Sequence, residues 1–285
     1  MSPETGDVAR RFQGPPGPSG SKMPARDVAD QLFLCQSYPT AFLSTPKCGR
    51  TFVKHLFWQI DTGAPHQTAD GIGTEIHRFD SQLPRGDSVT LDWGTASEHA
   101  FCVIREPIDR ILSLYWDKMH SNRDPAWRWF RERLSRVEGF VEVPESAADH
   151  AGNCLIMVDF IRANLRGETD VRLNNHWRPQ QMRINMARTI RLKALTLDGL
   201  EDQLFVLLGD LIPDLRGHMA RVASRNVVPR PIPRAALMTE PLTKSINKLY
   251  WPDAAAWRAA KAAWDGVDMS RPNAAGVARL DPTYV

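Results

Sequence analysis

Residues 99–105, HAFCVIR, form an apolar run without alternation, closed by an arginine and followed by Glu-Pro. A strand with one wet face alternates apolar and polar residues. A run that is apolar at both parities belongs to a strand covered on both faces, as in the interior of a parallel sheet. Pro107 then suits the first turn of a helix, where its missing N–H costs nothing. Ile108, Ile111, Leu112, Tyr115 and Met119 fall on one face of that helix. The same order occurs upstream: TAFLST (40–45) reads as a short strand, TPKCGRT as a tight loop, and Phe52, Val53, Leu56, Phe57 and Ile60 as the apolar face of a helix. Recurring strand–loop–helix units call for a largely parallel sheet, so an α/β fold is expected. DQLFVLLGDL (202–211) suits a further buried strand, or a helix by its length; 150–166 and 242–264 read as helical and 61–73 as a loop.

A chain of 285 residues, 42% hydrophobic and 24% charged, has the means to bury a sizeable core. Residues 1–25, with the tract GPPGPSGS, lack those means and are expected to be a disordered leader, leaving 26–285 as a single domain. Thirty-six basic against 33 acidic side chains leave a formal charge of +3, too little for general nucleic-acid binding, so any anion site must be a local cluster. No secretory h-region and no apolar stretch of the roughly 18–20 residues needed to cross a bilayer are present. Cys35, Cys48, Cys102 and Cys154 are scattered without a C-x-x-C pair, so the spacing indicates neither a zinc site nor a disulfide framework. No metal is expected, and a reducing cytoplasm is.

The segment FLSTPKCGRTF (42–52) has the make-up of an anion-binding loop but lacks the Gly-Lys-Ser/Thr ending of the triphosphate loop. A strand, a tight turn and a helix aim backbone N–H groups at whatever sits above the helix start. Gly49 lets the backbone approach an oxyanion or take a positive φ. Lys47 brings a mobile charge, and Arg50 and Thr51 add donors. A plain strand–helix turn with surface cations is the other reading. Arg105, at the end of a buried strand, needs a partner, either an anion or a structural ion pair. Ser113 follows two helical turns along, and Arg110 either supports that site or pairs with Glu106 or Asp109.

Together the two segments resemble the sulfotransferases that use 3′-phosphoadenosine 5′-phosphosulfate (PAPS), in their carbohydrate-type, family 2-like branch. PK-x-G-x-T stands at 46–51, and R-x-P-x-x-R-x-x-S-x-Y is complete in Arg105, Pro107, Arg110, Ser113 and Tyr115, with 58 residues from Lys47 to Arg105. The resemblance implies a P-loop-like, three-layer α/β/α fold around a central, mostly parallel sheet. It implies that Lys47, Cys48, Gly49, Arg50 and Thr51 hold the 5′ end of the nucleotide, with Phe52 near the purine, and that Arg105 and Ser113 take the 3′-phosphate. Arg50 departs from the small or hydroxylated residue of many relatives; it either adds a charge beside the sulfuryl group or turns to solvent. SRNVVPR (224–230), containing Arg225, resembles the basic loop that folds over the nucleotide, within five arginines and no acid between Arg216 and Arg234.

Weaker likenesses concern the acceptor. NNHWRPQ (174–180) resembles an HW-x-PQ segment, which implies His176 and Trp177 at the acceptor, the indole stacked on a ring and Arg178 or Gln180 making polar contacts; a core tryptophan with a hydrogen-bonded histidine is the alternative. DPAWRWF (124–130) either walls the acceptor cleft or is packing. LYWPDAAAW (249–257) resembles a closing Y-x-x-D helix, read as structural. Sulfuryl transfer needs an aligned hydroxyl, a base and donors for the leaving oxygen. Lys47 is assigned to the bridging and terminal oxygens. GTEIHRFD (73–80) resembles an E-x-H-x-F-D stretch, which implies Glu75 as the base, with His77 next and His99 or His55 more remote. The expected protein is therefore a bacterial, cytoplasmic, PAPS-dependent enzyme acting on a hydroxyl of a saccharide or small metabolite, with no nucleic acid and no membrane span. A P-loop kinase or hydrolase, and a non-catalytic nucleotide-binding protein, are the competing classes.

Overall fold

The structure, a computed structural model, describes residues 11–12, 32–66, 76, 98–121, 124–187, 191–222 and 229–277. In chain order it has β1 (Leu32–Leu34), β2 (Ala41–Leu43), α1 (Arg50–Thr62), β3 (Ala100–Ile104) and α2 (Pro107–Leu114), which runs on as a π-helical turn over Tyr115–His120. Then come α3 (Arg128–Leu134), α4 (Ala147–Leu165), α5 (Gln180–Met186), β4 (Lys193–Thr196) and α6 (Leu200–Leu208). The chain closes with α7 (Leu215–Arg221), α8 (Arg234–Leu237), α9 (Glu240–Leu249) and α10 (Trp251–Trp264). Contacts divide the chain into a sheet unit (Pro24–Glu106, Pro179–Val227, Pro252–Val285) and a helical unit (Met1–Met23, Pro107–Arg178, Val228–Trp251), a finer division than the single domain expected from sequence.

In the sheet unit four strands lie in the order β1-β2-β3-β4, with β1 antiparallel to β2 and the other pairs parallel. All five residues of β3 are buried, as its unbroken apolar run requires. Successive side chains leave opposite faces of a strand. Phe33, Phe42, Phe101, Val103 and Leu195 accordingly pack with Val53, Leu56 and Phe57 of α1 and Leu204 and Leu207 of α6. Leu34, Leu43, Cys102, Ile104 and Ala194 pack with Ile184 of α5 and Ala256 and Ala260 of α10. Because β2 and β3 are parallel and paired, their C-terminal ends, and hence the segments after Leu43 and Ile104, lie side by side. That edge of an open α/β sheet is where ligands bind.

Two sequence expectations change here. The run 202–211 is helix α6 in its first part, not a strand; the fourth strand is KALT (193–196), and Gln203 of α6 ties the two by accepting from the Thr196 N–H at 2.7 Å. The leader is not wholly unpacked. Phe12 is buried in the helical unit, edge-on to Phe160 at 5.5 Å, and its carbonyl accepts from the Arg133 guanidinium at 2.7 Å.

The helical unit packs Ile108, Ile111, Leu112, Tyr115 and Met119, the face expected for α2 and its extension, against Met157, Phe160 and Ile161 of α4 and Leu242 and Ile246 of α9. A full capping box at Ser146 and Asp149 starts α4. The wider π turn buries the consecutive rings of Tyr115 and Trp116 together. All four cysteines are buried free thiols, and burial pushes those of Cys102 and Cys154 up to about 12. Among the described residues, no helix is long and apolar enough to cross a membrane.

Candidate active site

After β2 the chain passes through the buried hydroxyls of Ser44 and Thr45 and turns back on itself at 46–49 before α1 starts. Two residues of that turn have left-handed backbones: Lys47 with φ 69° and Gly49 with φ 70°. For Gly49 this is free of steric cost, and glycine is required twice over. A Cβ there would stand 3.0 Å from both Leu197 and Leu200. For Lys47 the same backbone costs roughly 1–2 kcal/mol, and strained residues of this kind persist only where their surroundings hold them. The holding contact comes from the other motif: Arg105 Nη1 donates to the Lys47 carbonyl at 3.0 Å. Cys48, between the two left-handed residues, is fully buried.

Charge gathers around this turn. Lys47 and Arg50 are partly exposed, and the Arg50 guanidinium lies 5.7 Å from the centre of the Phe33 ring. Lys54, fully buried one turn further along α1, places its ammonium 4.1 Å from the centre of the same Phe33 ring. Arg183, buried on α5, donates to the Ser44 carbonyl at 2.5 Å. The helix start has no side-chain cap, since Gly49 has no side chain to offer. A helix N-terminus with its dipole, a left-handed turn and several cations form a setting for a multiply charged anion.

A model of the sulfotransferase family matches residues 30–191, more than half of the chain. The chain belongs to the sulfotransferase family, in its family 2-like branch. The family match does not support the kinase reading. Comparisons with curated proteins and with solved structures returned no match.

In this sulfotransferase the two segments read from sequence meet on the sheet unit through Arg105 and Lys47. Phe52 differs from expectation: its ring is buried in the core with Val53 and Leu56 and offers no open face to a purine. Ser113 is partly buried on α2, in the helical unit. Arg110 is almost fully buried and donates to the Asn175 carbonyl at 3.3 Å, while Asp109 faces Arg230 and Arg234. The arginine-rich stretch is less of a free cluster than its sequence suggests. Arg216 pairs with Asp202, Arg221 with Asp214, and Arg230 and Arg234 with Asp109, acids that lie outside the stretch 216–234. Arg225 lies outside the described residues.

The acceptor expectations are corrected in part. Trp177 is completely buried, donates through Nε1 to Asn164 at 2.8 Å and lies parallel to Phe130 at 5.2 Å, so no face is left for a sugar ring. Gln180 is also buried, its side chain bonded to Cys48 and Arg105. His176 remains partly exposed, its backbone N–H and Nδ1 both 2.9 Å from Asn174 Oδ1. Trp127 of the DPAWRWF segment packs against His176, Phe130 and Trp177. Tyr250, the first residue of the Y-x-x-D pattern, donates to the Trp177 carbonyl at 2.6 Å, a structural role as expected.

Of the candidate bases, Glu75 and His77 lie outside the described residues, although Ile76 between them is buried in the core of the sheet unit. His99 precedes β3 and Arg105 follows it, so the length of the strand, roughly 20 Å for six residues, separates His99 from the loop edge. Burial also holds its pKa below the ordinary imidazole value. His55 is buried on α1, its ring edge-on to His66 at 5.4 Å. Among the described residues no group of three or more His, Cys, Asp or Glu side chains is arranged to hold a metal. Arg183 and Lys54 escaped the sequence reading because each acts across the fold, with no local pattern to mark it; Asp253, the acid of the Y-x-x-D pattern, has the structural role read for that helix.

Proposed function

We propose that this sulfotransferase moves a sulfuryl group from PAPS to a hydroxyl of a saccharide or glycosylated small molecule, in a reducing, cytoplasmic setting suited to its buried free thiols. One observation carries the reading: the left-handed turn at Lys47 and Gly49, at the C-terminal edge of the parallel strands, is fastened to Arg105 of the second motif. In this reading Lys47, Cys48, Gly49, Arg50 and Thr51 surround the 5′-phosphosulfate. Arg105 meets the 3′-phosphate, and the motif assigns Ser113 and the basic loop with Arg225 to the same nucleotide. Lys47 faces the bond that breaks. As sulfur leaves the phosphate oxygen, negative charge builds on that oxygen, and a cation placed there stabilises the transition state more than the ground state. Glu75 is proposed to take the proton of the acceptor hydroxyl, with His77 the alternative, and His176 to contact the acceptor. The chemistry is positioning and electrostatics, as in phosphoryl transfer, with no metal assigned a part.

The test is calorimetric titration with 3′-phosphoadenosine 5′-phosphate (PAP), followed by transfer of labelled sulfate from PAPS to a panel of hydroxyl compounds with and without a chelator. Binding of PAP and chelator-resistant transfer are expected. No heat with PAP would overturn the reading. Binding of PAP without transfer to any hydroxyl would leave a nucleotide-binding protein in its place.

A further inference from the structure

Gln180 opens α5 with a side chain that is 1% exposed and uses its full hydrogen-bonding capacity. Its Oε1 accepts from the Cys48 thiol at 3.0 Å and from the Arg105 N–H at 2.9 Å. Its Nε2 donates to the Arg105 carbonyl at 2.9 Å and reaches Asp253 Oδ2 at 3.4 Å. One carboxamide thus pairs with both backbone groups of Arg105, the residue just past β3, as a neighbouring strand would. It also grips the middle of the left-handed turn. Asp253, fully buried on α10, accepts from the backbone N–H of Gln180 at 2.8 Å and of Gln181 at 2.9 Å and so fixes where α5 begins.

We propose that Gln180, held in place by Asp253, is a positioning residue of the donor site: its carboxamide sets the spacing between the turn at Cys48 and the strand end at Arg105. The inference rests on the PAPS reading for its consequence, since the turn and Arg105 then grip opposite ends of one nucleotide. An amide is needed because Arg105 presents a donor and an acceptor together. A carboxylate supplies no donor for the Arg105 carbonyl and adds a negative charge beside Asp253. A leucine leaves four polar groups without this partner, and a network left half satisfied costs more than an apolar one.

Gln180→Leu and Gln180→Glu are compared with the unaltered protein by PAP calorimetry, by hydrogen–deuterium exchange of residues 44–52 without ligand, and by urea unfolding. For Gln180→Leu, PAP binding about 10-fold weaker or more, the loss of one to two hydrogen bonds, and faster exchange in 44–52 are expected. For Gln180→Glu, PAP affinity relative to the unaltered protein is expected to rise as pH is lowered and the introduced carboxyl gains a proton to donate. A general loss of stability would produce the opposite trend. Unchanged binding and exchange in Gln180→Leu would overturn the proposal. If that variant does not fold, a pH-independent ratio for Gln180→Glu overturns it. If the unaltered protein fails to bind PAP, the donor reading falls while exchange in 44–52 still decides the role of Gln180.

Discussion

Arg105 reaches back across 58 residues of sequence to donate to the carbonyl of Lys47 at 3.0 Å. The two segments that look like separate anion cradles in sequence are thus one structure in the sheet unit. Arg105 holds the turn on which Lys47 sits, and in the proposed reading its guanidinium also meets a phosphate of the donor. In that reading, loss of Arg105 has two consequences, one general to the loop and one specific to the 3′ end of the nucleotide.

Arg105→Ala separates them. The lost charge-assisted contact to a phosphate is worth about 1.5–3 kcal/mol, or roughly 10- to 150-fold in affinity. Calorimetry should show that loss for PAP, and a distinctly smaller one for adenosine 5′-phosphate, which feels only the loosened turn. Equal losses would confine Arg105 to holding Lys47 and remove it from the 3′-phosphate.

Gly49 and Gly63 form an internal comparison at the two ends of α1. Both have left-handed backbones, with φ 70° and 72°, but a Cβ meets Leu197 and Leu200 at 3.0 Å in the first and nothing within 4 Å in the second. Gly63→Ala should cost about 1–2 kcal/mol, the backbone term alone. Gly49→Ala should cost about 1 kcal/mol more, because overpacking adds to it, and should also weaken PAP binding. Urea unfolding checks the order; equal costs would show that Leu197 and Leu200 give way freely.

The contrast between these residues shows what was legible in the sequence. The β2–α1 and β3–α2 units were readable because each is contiguous, with an apolar run, a turn and a helical stripe in order. β1 and β4 were not: β1 is three residues long, and β4 begins with Lys193, whose charge is carried to the Ala274 carbonyl far along the chain. The apolar run at 202–211 has a strand's composition, but its first part is helix α6, which lays Leu204 and Leu207 on one face of the sheet. At the site, glycine marked its own left-handed position. Nothing local marked the left-handed backbone of Lys47, which Arg105 holds, or the bridging contacts of Gln180, which exist only once Cys48, Arg105 and Asp253 converge.

Trp177 tests the boundary between packing and recognition. Its indole N–H satisfies Asn164 Oδ1, and its rings are enclosed by Trp127, Phe130 and Phe160. Trp177→Phe leaves the Asn164 oxygen without this donor and a gap beside Phe130, at a cost of about 2–4 kcal/mol. Chemical unfolding should register that loss while the acceptor KM, measured well below the unfolding transition, stays within about twofold. A large rise in acceptor KM with stability intact would return the indole to the acceptor site.

The histidine pair of the helical unit sets a pH dependence of stability. His150 is buried, its Nδ1 2.8 Å from the Tyr115 hydroxyl, and its ring 4.9 Å from that of His120. Burial, and then the neighbouring His120, holds its pKa below the ordinary value near 6.5, with Asp149 opposing; burial lowers His120 as well. A neutral ring accepts the tyrosine proton at Nδ1, whereas the imidazolium cannot. The folded state thus binds these protons less readily than the unfolded chain. Stability is fully present above about pH 6.5 and declines as pH falls through the interval down to the folded-state pKa values. Urea midpoints at about pH 7.5 and 5.5, a range in which ordinary carboxylates stay ionised, should drop for the unaltered protein. They should drop less for His150→Gln, whose amide accepts from Tyr115 without titrating. An identical drop in both proteins, or a higher midpoint at the lower pH, would place the pH sensitivity outside this pair.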